Sequence, residues 1–346
     1  MSSLYQMHEL AFRTQYAELK ERSLSTMPLL AGTPGRLVLR EGTGYGYWYR
    51  NYYAAPGHSA DDLVCKAGDD IALDVERQRI AFADWAMRQV RDLRKLQFQV
   101  ADKATARVLV ELANVGLFAS GLVVVGSLGY MGWLNELGAK AVAARTQDLD
   151  LARRQRLKLA APMPFLQTIQ ATKLKFVPVP GMPSSAPSTS VKLPGADGLR
   201  VEVLTSGANL GQVASLPELD WHAQTIPFFD YLLGDSRPAA MLAGGHCVTL
   251  NLPAPERFVW HKLYASASRL DFAEKSVKDT LQAATLAAVL VEQDDVEIAA
   301  SLGDVPRAMV SAIKTRLPAL RRLLVDHPQT LAQFELALAA DQSLSL

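Results

Sequence analysis

The sequence predicts an α+β protein, and three observations carry that reading. An apolar run, residues 122–125, has the length of a core strand, residues 199–204 show a strand pattern with one acid on it, and residues 146–152 place polar and apolar side chains on alternate positions. Long segments of helical periodicity lie on either side, over residues 71–115 before them and 281–292 and 306–325 after them. The strand-like segments are not joined by a regular succession of helices, so a doubly wound parallel sheet is not expected.

Composition narrows the class further. At 346 residues the chain has room for two domains or for one with sizeable extensions, and 49% hydrophobic with 21% charged residues is the balance of a soluble globular protein. A net charge of +1 argues against wholesale non-specific nucleic-acid binding and leaves only local basic patches. The two cysteines, Cys65 and Cys247, sit in no CxxC and beside no histidine cluster, so no structural zinc site is expected and a reducing cytoplasm is the expected compartment. Met1 to Glu9 lacks a basic segment followed by an apolar one, which reads as no secretory signal. Between Leu112 and Lys140 the one charged residue is Glu136, but Gly116, Gly121, Gly126, Gly129 and Gly132 interrupt the stretch. A buried helix leading into a core strand fits it better than a membrane span.

Taken in order, residues 4–24 read as a helix. Residues 36–66 are strand-prone and rich in glycine and aromatics, which predicts a β-hairpin. Tyr45, Tyr47, Trp48, Tyr49, Tyr52 and Tyr53, with Arg36, Arg40 and Arg50, either form a small aromatic core between hairpin faces or stack on nucleic-acid bases. In the helical region that follows, Arg88, Arg91, Arg94 and Lys95 read as a solvated face, with an RNA-contacting surface as the alternative.

The apolar run Leu122–Val125 ends at Gly126-Ser127, and residues 128–137 then have helical character. A turn of this kind aims free N–H groups and the positive end of a helix dipole at an anion, and Gly126 lets a phosphate approach the main chain. Ser127 adds a hydroxyl, or acts only as an N-cap. Downstream, Thr146-Gln-Asp-Leu-Asp-Leu-Ala152 puts Asp148 and Asp150 on one face of a strand, with Leu149 and Leu151 on the other. Two carboxylates facing one spot repel unless a cation lies between them, and hard oxygen ligands suit Mg²⁺ shared with substrate phosphates. A Pro/Ser-rich loop, residues 181–190, separates residues 176–180 from 191–193; after it, Leu199-Arg-Val-Glu-Val-Leu204 offers Glu202 as a third carboxylate.

Strand, Gly-Ser turn, helix, acid-x-acid strand and a later strand with one acid: this order resembles the polymerase-β-like nucleotidyltransferase superfamily. Within it the chain is similar to a bacterial family with an N-terminal helical extension, on Tyr47-Trp48-Tyr49, residues 146–152, and Pro253-Ala-Pro-Glu-Arg-Phe-Val-Trp-His-Lys-Leu263. The resemblance implies a small mixed β-sheet nucleotidyltransferase core over residues 116–265, a helical extension with its hairpin over 1–115, and a C-terminal helical region over 266–346. It also implies that Asp148, Asp150 and Glu202 hold Mg²⁺ or Mn²⁺. Gly126, Ser127 and Lys262 would then bind the phosphates of a nucleoside triphosphate, with ATP expected, and His261 is the neighbour of that lysine. The acceptor would be a hydroxyl of RNA, tRNA included, or of a protein. Arg145, Arg153, Arg154 and Arg156, which flank the acidic strand, either position acceptor or triphosphate or are solubilising charges at strand and helix ends. Two features differ from the superfamily pattern: twenty residues lie between Ser127 and Asp148, and Glu202 stands where aspartate is usual. They leave open a silent binding or regulatory protein of toxin–antitoxin type. A second alternative, an NAD(P)-dependent reductase, rests on Gly126-x-x-Gly129-x-x-Gly132 with Asp150 downstream.

Overall fold

The computed structural model of the chain describes residues 3–42, 44–55, 57–142, 146–269 and 273–340. Strand β1 (Gln6–Met7) precedes helix α1 (Leu10–Ser25), so the first helix begins later than its periodicity suggests. The reason is tertiary: Gln6 and Met7 pair with Lys140 and Ala139, more than a hundred residues away. Strands β2 (Arg36–Gly42), β3 (Tyr45–Ala55) and β4 (His58–Lys66) form a three-stranded antiparallel sheet rather than a two-stranded hairpin. Tyr52 is buried while Tyr45 and Tyr53 stand exposed. Arg50 corrects the base-stacking expectation at its own position: it is 2% exposed, paired to Asp62 at 3.1 Å and Glu76 at 3.8 Å, and lies over the Tyr52 ring. A guanidinium so enclosed braces the sheet through its ion pairs.

Helix α2 (Asp70–Lys95) carries the basic stretch on its solvated side, where Arg88 pairs with Asp84 and Lys95 with Asp92. After β5 (Val100–Ala101) and α3 (Lys103–Asn114) comes the segment that builds the site: β6 (Val123–Val124), α4 (Gly126–Glu136), β7 (Ala139–Lys140) and β8 (Asp148–Arg153). Next in the chain are α5 (Phe165–Gln170), β9 (Val177–Pro178), β10 (Ser190–Lys192), β11 (Arg200–Ser206), β12 (Val213–Leu216), β13 (Trp221–Ile226) and α6 (Phe229–Leu232). Strands β6 and β8 to β13 make one mixed seven-stranded sheet. In it β8 runs parallel to β11 and antiparallel to β6. A dinucleotide-binding unit needs its first two strands parallel across the helix, so the antiparallel β6–β8 pairing removes the geometric basis of the reductase reading.

A hairpin not anticipated from the sequence, β14 (Ser236–Ala243) with β15 (His246–Pro253), turns on Gly244-Gly245. The remainder is helical: α7 (Pro255–Ser268), α8 (Ala273–Gln293), α9 (Ile298–Ser301), α10 (Arg307–Lys314), α11 (Leu317–Leu323) and α12 (Pro328–Ala340). The expected helix over 306–325 is two helices because Pro318, lacking an N–H, sits in the first turn of the second. Leu149, Leu151, Val201 and Val203 are fully buried, each burial worth roughly 1.5–3 kcal/mol, and they fix which face of β8 and β11 turns outward. They belong to one apolar cluster that runs from Tyr5 to Leu338 and draws on all three expected segments of the chain. No described helix is long and apolar enough to cross a membrane.

Candidate active site

The Gly-Ser turn is held against the acidic strand by the backbone. Val125 N–H donates to the Asp150 carbonyl at 3.0 Å, and the chain then enters α4 through Gly126 at φ +67°. A Cβ at Gly126 would overlap Asp150 Oδ2, so glycine is required twice, by conformation and by the carboxylate lying against it. Val125 at the N-cap makes no side-chain cap hydrogen bond and the first turn of α4 holds no acid, so the carboxylate packed against this helix start comes from β8. Ser127, 7% exposed, accepts a hydrogen bond from Lys278 Nζ of α8 at 3.0 Å.

The acids converge through sheet register. Asp150 lies directly opposite Glu202 and Asp148 opposite Arg200, all on the face away from the buried leucines and valines. Asp148 is exposed at the strand start, whereas Asp150 and Glu202 are partly buried. Burial pushes the Asp150 carboxyl above the usual range and Asp148 pushes it further, against the pull of Lys262, Arg269 and Lys278. Glu202 is raised too, by burial first, with Arg200 pulling down and Asp150 and Asp148 pushing up. Arg200 spans the face, reaching Ser190 Oγ at 3.0 Å and Glu202 Oε1 at 3.4 Å.

Lys262 is buried rather than extended toward solvent. Its Nζ donates to Asp279 Oδ1 and Gln282 Oε1, both at 2.7 Å, while Arg269 pairs with the other Asp279 oxygen. Burial lowers the Lys262 pKa and Asp279 raises it. A cleft of about 210 Å³ nevertheless gathers Gly126, Asp150, Lys262, Arg269 and the aromatic Phe258 into one wall. His261 lines the same cleft; burial lowers its pKa to about 4, so the ring is neutral, and its Nε2 has no partner among the described residues.

Of the flanking arginines, Arg153 is taken up by Glu218 at 3.1 Å, Arg154 reaches the Gly234 carbonyl at 3.4 Å, and Arg156 is exposed. Arg145 lies outside the described residues. Sequence reasoning missed Lys278, Asp279 and Arg269. Asp279 had a signal: it shares the inward stripe of α8 with Ala283, Leu286 and Leu290, where a lone carboxylate needs a buried cation. Nothing near Lys278 in the sequence distinguishes it from a solvated lysine.

Whether these residues suit a divalent cation is a question of donor chemistry. Among the described residues no three Asp, Glu, His or Cys side chains close up into a preformed ion cage. Mg²⁺ does not ask for one: it binds through one or two carboxylates and fills its remaining positions with water and substrate phosphate oxygens. Asp148 and Asp150 on one strand, with Glu202 across from Asp150, meet that requirement.

A glycine-entered helix start lies beside paired carboxylates on a mixed sheet. Residues 103–305 match the model of a family described as nucleotidyltransferase, and the chain belongs to that family. The matched region starts at α3 and ends beyond α9, wider on both sides than the 116–265 core expected from the sequence. Diaminopimelate epimerases from Mycobacterium sp. strains KMS and JLS are each 32% identical over 133 residues, 37% of this chain and 44% of theirs. The chain thus spans less than half the length of these curated relatives. An antigenic nucleotidyltransferase-like protein from Paracoccidioides brasiliensis aligns with a TM-score of 0.32 at 14% identity, over 61% of this chain and 91% of that one.

Proposed function

We propose that the protein transfers a nucleoside monophosphate from a nucleoside triphosphate, with ATP the first candidate, to a hydroxyl of RNA or protein in a reaction dependent on Mg²⁺ or Mn²⁺. The observation that carries this reading is the register of β8 and β11, which sets Asp150 beside Glu202 and against the Gly126 turn. Asp148 and Asp150 would hold the metal with Glu202 as the third donor. Bound there, the metal neutralises the triphosphate and lowers the pKa of the attacking hydroxyl.

The remaining work belongs to the chain. The N–H groups of the first turn of α4 and the Ser127 hydroxyl would receive the terminal phosphates, and Lys278, already on Ser127, would bring a positive charge to the same place. Lys262 and Arg269, pre-positioned by Asp279, line the cleft where the leaving pyrophosphate develops charge. Such catalysis consists largely of positioning and charge neutralisation, which suits a site made of fixed helix ends and paired side chains. Glu202 in place of the usual aspartate supports the second reading, a silent nucleotide-binding protein.

Incubating the protein with nucleoside triphosphates labelled at the α-phosphate, Mg²⁺ or Mn²⁺, and separately bulk RNA or cellular protein separates the two readings. Label in one acceptor fraction, absent with Asp148→Ala/Asp150→Ala, is the expected result. Metal-dependent triphosphate binding without transfer to any fraction supports the silent protein, and no binding at all overturns both.

A further inference from the structure

We propose that a second cavity, remote in its lining from the nucleotide cleft, binds a small amphipathic carboxylate. It measures about 260 Å³, room for about nine water molecules at roughly 30 Å³ each, or for one aromatic ring bearing a short acid chain. No residue lines both this cavity and the cleft. It forms where the aromatic sheet meets the catalytic half of the chain: Ala54 of β3, Ala83 and Met87 of α2, and Ala106 of α3 supply apolar walls.

The Gly244-Gly245 turn closes one side with bare backbone. A Cβ at Gly244 would come within 2.8 Å of Ala106 Cβ and one at Gly245 within 3.0 Å of Met87 Cγ, so side chains there would occupy the enclosure.

Polarity at one end specifies the charge of the occupant. Lys103 and Arg107 lie with Ala106 on one face of α3, at i, i+4 and i+3, and no Asp or Glu lines the cavity. Arg107 is 6% exposed. Its Nη1 donates to Glu111 at 2.7 Å and its Nη2 to the Ala171 carbonyl at 3.1 Å, but its Nε–H donates to nothing among the described residues. That N–H is sealed from the cavity, so the contact falls to Lys103: its exposed ammonium at one end, with the Arg107 guanidinium behind it and no acid in the lining, gives a positive end that a carboxylate answers. His246 lines the cavity as a neutral ring, engaged with the Gly32 carbonyl at 3.1 Å, so the cationic end stays on α3.

The test uses the full chain labelled with ¹³C-methyl methionine, reading the Met87 methyl resonance against added phenylpropionate, phenylpropionamide and acetate. Phenylpropionate is expected to shift Met87 saturably, the amide to bind at least tenfold more weakly for want of charge, and acetate weakly for want of an apolar part. Lys103→Met, at the exposed end of the helix face, is expected to weaken the acid at least fivefold while leaving the amide unchanged. Ala83→Leu should fill the cavity and abolish the Met87 shift. Equal binding of acid and amide, no saturable shift, or indifference to Lys103→Met each overturns the proposal.

Discussion

Replacing Gly126 with alanine probes the contact between the Gly126 turn and the acid strand, and the structure separates its effect into two parts. The first is conformational: at φ +67° an L-residue loses roughly 1–2 kcal/mol. The second is steric. The new methyl would overlap Asp150 Oδ2 and approach Asp150 Cγ to 3.1 Å, an overpacking that typically costs 1–3 kcal/mol. The sum is about 2–5 kcal/mol in the wild-type background. In an Asp150→Ala background the nearest remaining atom is Cβ at 3.4 Å, an ordinary contact, so only the conformational part of about 1–2 kcal/mol survives. Urea denaturation of the four proteins of the cycle measures this directly, with an expected coupling of about 1–3 kcal/mol. Equal destabilisation by Gly126→Ala in both backgrounds would refute the claim that the turn packs on the carboxylate.

Three further outcomes follow from the same geometry. Asp150 and Glu202 titrate above the usual carboxylate range in the fold, so the stability they contribute is fully present below that range and is lost as pH rises through their folded values. The metal-free wild type should therefore lose more stability from acidic to neutral pH than Asp150→Asn does, as read by urea midpoints; parallel profiles contradict it. Lys278→Ala should weaken triphosphate binding by about tenfold or more, the scale of one charged hydrogen bond, while shifting stability by no more than about 1 kcal/mol; unchanged affinity by calorimetry removes Lys278 from the phosphate site. Asp279→Ala leaves Lys262 buried with Gln282 and should destabilise by about 3–5 kcal/mol, more than Asp279→Asn, in the same urea assay. A cost no greater than that of an exposed substitution would show the pair to be solvated.

The sequence by itself determined the parts whose signal is local. Alternation at 146–152 is enough to place Asp148 and Asp150 on one face, because side-chain period in a strand is two whatever the strand pairs with. Gly126-Ser127 after an apolar run marks a helix start for a similarly local reason, a donor-rich first turn entered through a residue tolerant of positive φ. Pro318 and Gly244-Gly245 carry local signals of the same kind, for a helix start and a hairpin turn, but the elements expected from the sequence use neither: one helix over 306–325 and no hairpin at 236–253.

Only the tertiary structure decided which distant residues meet these elements. That Glu202 stands opposite Asp150 follows from parallel pairing of strands fifty residues apart, and a slip of one residue would have turned it into the core. That Lys262 is tied to Asp279, and that Lys278 reaches Ser127, depends on how α7 and α8 pack. Helical periodicity identifies the face a residue occupies and is silent on the neighbour across it. The burial that raises Asp150 and lowers His261 likewise arises only when remote segments close over them, since desolvation is a property of the packed interior and not of any local stretch of chain.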